Sequence, residues 1–496
     1  MSLTGVTATV PTAANLLDRL RAGEVADATA VYIDGRWGSS DSRATIEVLS
    51  PSTEQVIATV ADGSPSDAER AVAAARAALP AWSALSGAER GAYLQRVGDL
   101  IAERLDDFAE LASRDVGAPT EASKLVQLGL PMFNFGFYAE LARTYSFEGG
   151  QVGNSLIVKE PIGVVACITP WNFPAHQMAL KVAAAFAAGC TVVLKPSEVA
   201  PLLVHAIVAL FDEIGLPAGV LNLVSGVGTT VGEALVAHPD VDMVSFTGST
   251  RAGKQIAAVA AGTVKRVALE LGGKSANVVL DDADMEAALT EGIANSIGLN
   301  CGQACTALTR MLVPAERLAE AEAVAKKIAE TYSIGAWDET GTVIGPLVSK
   351  VQYDKVLGYI QQGIDEGARL VTGGVDSGRD QGYFVQPTVF SGVTNDMTIA
   401  REEIFGPVIA LLPYSDEAEA ISIANDTIYG LAAAVWSGDK DRALRVARQL
   451  RAGQVQVNGG AFNPAAPFGG YKQSGLGREA GSMGIEEFLE TKAIQL

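Results

Sequence analysis

Two rhythms of hydrophobic and polar positions divide the sequence. Over Ser66–Leu79, Ala88–Ala112 and Thr120–Tyr145 apolar residues return at helical spacing, which predicts amphipathic helices. Asp67 stands near the start of the first, and Pro80 is expected to stop it. Ahead of them, Val31–Trp37 reads as a hairpin turning at Asp34-Gly35, and Ala44–Leu49 as a short strand ended by Ser50-Pro51. Residues 1–30 are alanine-rich without a strong signal and fit either a loose arm or an edge helix. Gly149-Gly150 breaks the helical pattern.

From residue 156 the rhythm changes to short, uniformly apolar runs: Gly163–Thr169, Thr191–Leu194, Val220–Val224, Met243–Phe246 and Val267–Leu271. Helical segments separate them at Ala175–Ala188, Glu198–Ile214, Thr230–Ala237 and Arg251–Ala261. Uniform strands alternating with helices predict an α/β fold whose parallel sheet is covered on both faces. Ligands of such sheets gather at the carboxyl ends of the strands. A second α/β unit follows residue 275, with strands Asn277–Leu280, Arg310–Val313, Ala410–Pro413, Ala432–Trp436 and Gln454–Asn458. Its helices are a segment from Asp284, Leu318–Tyr332 and Val351–Glu366. A boundary near Gly272-Gly273 would set Glu270 and Cys305 on facing sides of a cleft.

Length supports that division, since 496 residues exceed what one core organises. A net charge of −20 argues against sequence-independent nucleic-acid binding and against docking on anionic membranes. The four cysteines, at 167, 190, 301 and 305, and the three histidines show no metal spacing, so no metal is expected. So few cysteines in so long a chain fit a reducing compartment. The N-terminus shows no basic stretch ahead of an apolar run, and Met178–Leu194 is interrupted by Lys181 and Gly189. The expected address is the cytoplasm.

The candidate chemistry centres on Cys305 in NCGQACTALTR, where Gly302, Ala304 and Thr306 leave a thiol accessible. A thiolate attacks carbonyl carbon, given a lowered pKa or a nearby base. The plainer alternative is a small core thiol. Glu270, at the end of a buried run before two glycines, is placed to be desolvated and to serve as a base; the alternative is a solvated carboxylate at a cleft edge. Asn172, bracketed by Pro170 and Pro174, is either a fixed oxyanion donor or the cap of the following helix. Gly226, Gly228 and Gly232, and the turn Phe246-Thr247-Gly248-Ser249, could each present backbone N–H groups to phosphate. The spacing GxGxxxG is not the Rossmann fingerprint. Lys195 and Glu198 could hold the two hydroxyls of an adenosine ribose, and Glu198 would repel a 2′-phosphate. REEIFGPV (401–408) could grip a ribose or form an exposed turn.

Seven segments in order, TPWNFP, LKPSE, SFTGST, LELGGK, NCGQAC, EEIFGPV and PFGGYKQSGLGRE, resemble the aldehyde dehydrogenase superfamily from about Val31 onward. The resemblance implies an NAD-binding domain (1–142 and 163–272), a catalytic domain (273–470) and bridging segments (143–162 and 471–496) that build a homodimer or homotetramer. It implies Cys305 as nucleophile, Glu270 as general base, Asn172 with the Cys305 N–H as oxyanion hole, and Lys181 and Glu479 as a proton relay. NAD would lie over Ile168, Thr169, Pro170, Trp171, Lys195, Ser197, Glu198, Gly228, Gly232, Phe246, Gly248, Ser249 and Leu271, with Glu403 and Phe405 at its nicotinamide half. The implied reaction adds the thiolate to an aldehyde, passes hydride to NAD and hydrolyses a thioester to the acid. The glutamate at 270 favours hydrolysis over acylation of CoA; a CoA-acylating enzyme and a non-catalytic scaffold are the competing expectations.

The chain departs from relatives at Ile297-Gly298-Leu299, where many carry an aromatic, and Asn458–Pro467 carries one aromatic, Phe462. Gln177, Leu180 and Phe462 would line the substrate tunnel, which suggests a mid-sized, mostly apolar aldehyde. Cys301, one turn before Cys305 if the segment is helical, is either its disulfide partner or a buried thiol.

Overall fold

The computed structural model describes residues 9–496. Two large sheets carry the fold. In the first, the strands lie in the order Gly475–Leu476, Arg266–Glu270, Met243–Thr247, Val164–Ile168, Thr191–Lys195, Leu221–Leu223, Ala30–Ile33 and Arg36–Ser39. The five strands from Arg266–Glu270 to Leu221–Leu223 are parallel, and the antiparallel pairs sit at the two ends. The full burial of the four strands other than Arg266–Glu270 follows from helices on both faces, among them Pro65–Ser83, Pro174–Ala188, Leu202–Glu213 and Thr250–Ala260.

The second sheet runs Arg369–Thr372, Thr388–Ser391, Val408–Tyr414, Arg310–Pro314, Ala276–Val279, Ala432–Trp436 and Gln454–Val457. Only the Arg369–Thr372 strand is antiparallel to its neighbour. Thr388–Ser391 is fully buried and escaped the sequence reading, because Pro387 precedes it and only four residues form it.

Several boundaries differ from expectation for physical reasons. The helix from Pro65 continues through Pro80 to Ser83. Proline falls in its last turn, where few bonds are lost, and Trp82 anchors that turn against Phe186, with ring centroids 5.3 Å apart. The ambiguous N-terminal stretch resolves, within the described residues, into a helix Ala13–Arg21 capped by Thr12 and burying Leu16, Leu17 and Leu20. The stretch 471–496 is not one bridging piece. Leu489–Gln495 pairs with Ser155–Pro161, which pairs with Glu148–Val152, whereas Gly475–Leu476 extends the first sheet beside Glu270.

Candidate active site

Glu270 ends its strand with a side chain that is 2% exposed, and one carboxylate oxygen has no partner among the described residues. Burial, and then the charge of Glu479, pushes its acidity well above the usual carboxylate range. Its other oxygen lies 3.8 Å from the Cys305 sulfur. That thiol is only partly buried, and it too is pushed well upward, first by burial and then by the charge of Glu270, while its own backbone N–H acts in the opposite direction. Two groups that each resist ionisation therefore face one another, close enough for the thiol to donate to the carboxylate.

The two glycines after Glu270 make the approach possible. A Cβ at Gly273 would overlap the carbonyl of Cys305, and one at Gly272 the carboxylate of Glu403. Glu403 in turn accepts from the Gly273 N–H at 2.9 Å. The Cys305 loop is not an α-helical turn. Asn300, Cys301 and Gly302 all have left-handed backbones, with φ of 51°, 55° and 75°. Cys301 points into the core of the second sheet's domain and Cys305 packs beside Leu180, so the one-turn spacing on which a disulfide depended is absent.

Asn172 is buried, and its amide donates to the Gln303 carbonyl at 2.9 Å. Its own carbonyl accepts from Gln127 and Asn300, which fixes the turn. The helix that follows starts at Pro174 with Phe173 in the cap position, so Asn172 does not cap it. Behind Cys305, Lys181 is fully buried and pairs with Glu479, and it also donates to Thr247 at 2.8 Å. Thr247 donates onward to the Gln177 carbonyl oxygen at 2.9 Å.

Two cavities at the carboxyl ends of the first sheet gather most of the remaining candidates. One, of about 330 Å³, is lined by Ile168, Glu198, Gly228, Gly232 and Phe246. The other, of about 200 Å³, holds Pro170, Trp171, Asn172, Gln177, Gly248, Ser249, Leu271, Cys305, Glu403 and Phe405. Trp171 and Phe405 meet edge to face, 5.3 Å between centroids. Lys195, buried behind the first cavity, pairs with Glu198 at 3.3 Å; burial lowers its pKa and that carboxylate partly restores it. Open space around the missing side chain of Gly228, and a carboxylate with a lysine at the wall, fit an adenosine diphosphate with a free ribose diol.

Other candidates lie elsewhere. Thr169 donates its backbone N–H to the Lys195 carbonyl, and the Ser197 hydroxyl accepts from the Val199 N–H, so both shape the turns and neither lines a cavity named here. Phe462 does not share the Gln177 cavity: it packs on Phe468 over a separate space of about 80 Å³ with Asn295, Leu299 and Thr306. Gln352 and Lys355, in a segment that the sequence marks only as helical, line the Cys305 cavity. Gln352 donates to the carbonyls of Ile404 and Phe405 and so holds the EEIFG turn. Their only signal is a polar pair three residues apart on the helix Lys350–Asp365.

The family model described as the aldehyde dehydrogenase family matches residues 37–494. A 3-succinoylsemialdehyde-pyridine dehydrogenase from a Pseudomonas species is 50% identical over 93% of this chain and 97% of that protein. Among solved structures, a mutant of aldehyde dehydrogenase C from Pseudomonas syringae with NAD+ and octanal superposes with a TM-score of 0.93 at 49% identity, covering 94% of this chain and 96% of that one. Betaine aldehyde dehydrogenase from Staphylococcus aureus with NAD+ gives 0.91 at 39% identity, covering 94% of each. The chain belongs to the aldehyde dehydrogenase family.

Proposed function

We propose that this protein oxidises an aldehyde to its carboxylic acid with NAD, using Cys305 as nucleophile. The observation that carries the reading is the Cys305 sulfur 3.8 Å from a buried carboxylate held largely protonation-ready. Glu270 takes the thiol proton, and the thiolate adds to the aldehyde carbon. The Asn172 amide and the Cys305 N–H stabilise the oxyanion of the resulting thiohemiacetal. NAD supplies the hydride acceptor when bound in the two cavities. A thioester is left on Cys305, and Glu270 draws a proton from the water that hydrolyses it. Lys181 and Glu479, buried beside Glu270, carry the thiol proton away before hydrolysis and the water proton after it, so that Glu270 can accept twice.

The cavity lined by Glu198 takes the adenosine half of NAD and disfavours a 2′-phosphate; Glu403 and Phe405 hold the nicotinamide half, with Gln352 and Lys355 beside them. The first sheet forms the cofactor domain, the second the catalytic domain. Gln177 and Leu180 on one side of Cys305, and Phe462 with Leu299 on the other, line the path of a mid-sized, mostly apolar aldehyde. A cytoplasmic homodimer or homotetramer completes the picture; among the described residues no helix is long and apolar enough to cross a membrane.

The test is NADH formation from a panel of aliphatic, aromatic and semialdehyde substrates. Cys305→Ala is expected to abolish it, and Glu270→Gln to slow it by roughly 10²–10⁴-fold. NADH that appears only when CoA is supplied would remove Glu270 from its hydrolytic role.

A further inference from the structure

We infer that Gln177 is a specificity-determining hydrogen-bond donor that selects aldehydes carrying a neutral acceptor, such as a ketone, along an otherwise apolar chain. The inference rests on the dehydrogenase reading above. Gln177 belongs to the first turn of Pro174–Ala188, is 4% exposed, and lines the cavity that contains Cys305. An amide side chain can usually turn either end toward a neighbour. Here the choice is made for it. The Lys181 ammonium, a donor only, gives a proton to the Thr247 hydroxyl. Thr247 must then donate its own proton, and it does so to the Gln177 carbonyl oxygen at 2.9 Å. The Gln177 nitrogen is left as the free end of the chain, with no partner among the described residues.

Thr247 is the register partner of Glu270 on the adjacent strand, so this donor stands beside the reacting centre. A largely buried donor without a partner favours a ligand that accepts from it and penalises one that cannot. Charge narrows the class. Glu270, with one oxygen unpartnered, stands 3.8 Å from the reacting sulfur, which disfavours a second carboxylate close to it. Leu180, Leu431 and Phe468 make the surroundings of Cys305 apolar. A neutral acceptor on an alkyl or aryl chain satisfies both conditions.

The experiment compares octanal with 4-oxooctanal, equal in chain length and differing by one ketone, in the wild-type enzyme, Gln177→Met and Thr247→Val. Expected is a wild-type preference in kcat/KM for the keto-aldehyde. In Gln177→Met the ratio of keto-aldehyde to octanal should fall at least tenfold, chiefly through KM. Thr247→Val releases the amide to turn and should lower the ratio as well. Thermal melts of each variant report whether it folds. A wild-type ratio near one, or equal slowing of both substrates in Gln177→Met, overturns the inference. Absence of NADH from every aldehyde in the wild type overturns the dehydrogenase reading beneath it.

Discussion

Among the described residues three carboxyl groups, Asp115, Glu270 and Glu479, keep a buried oxygen without a partner, and the first two sit in very different surroundings. Glu270 keeps one oxygen bare and turns the other toward the Cys305 sulfur, and burial holds its pKa well above the usual carboxylate range. Asp115 accepts from the Leu203 N–H at the start of the helix Leu202–Glu213, while its second oxygen has no partner among the described residues. Burial pushes its pKa up to about 7, with the Leu203 and Leu202 N–H groups acting against that shift. The folded-state value lies above the unfolded one, so the neutral acid favours the fold at low pH, and that contribution is lost as pH rises toward and through 7. Asp115→Asn keeps an acceptor and removes the ionisation. It should raise Tm by several degrees at pH 8, by less at pH 5, and hardly at all near pH 3.5, as read by scanning calorimetry. The sequence showed Glu270 because two glycines and an apolar run flagged it. Asp115 sits on an amphipathic helix like any surface acid, and only the tertiary fold decides that it is buried.

Local backbone tells a similar story one level up. Val264, which connects the helix Thr250–Ala260 and the turn after it to the strand of Glu270, is 90% exposed and left-handed, with φ of 57°. A β-branched residue loses about 1–2 kcal/mol in that conformation and gains no packing here. Val264→Asn, whose side chain tolerates the left-handed region, should stabilise the protein by about 1 kcal/mol, visible as a higher Tm with unchanged turnover. Elements made by hydrophobic rhythm were legible: the five parallel strands of the first sheet lie within a residue or so of their apolar runs. Three π-helical turns, Ser123–Leu128, Gly228–Gly232 and Ala294–Gly298, were not, because a shift in hydrogen-bond spacing changes no residue's polarity. Gly228–Gly232 borders the cavity of Glu198, whereas Gln127 and Gly298 border a separate space beside Phe173 and Cys301. The left-handed run Asn300–Gly302 was hidden for the same reason, and with it the true direction of Cys301.

Across the whole molecule, the three-stranded sheet of Glu148–Val152, Ser155–Pro161 and Leu489–Gln495 stands out for how little it buries. Its edge strand Glu148–Val152 is exposed throughout, and Val152 and Leu496 are among the most exposed large apolar residues. So small a sheet with an open edge is seldom stable alone, and an unpaired edge invites another strand. Sedimentation or light scattering should give a multiple of the chain mass, and Gln151→Pro, which removes an edge N–H, should lower it. Leu476 pairs with Leu269, Gly475 with Glu270, and Glu479 with Lys181, so the last stretch of the sequence closes the wall behind the first sheet's chemistry. On a ribosome the first sheet's other strands, and Cys305 itself, emerge long before that stretch. Until residue 479 clears the exit tunnel, Lys181 lacks its partner and the strand of Glu270 has an open flank. A nascent chain therefore exposes the Cys305 thiol before the wall beside Glu270 has formed, and the surroundings of that pair are complete only once Glu479 has docked on Lys181.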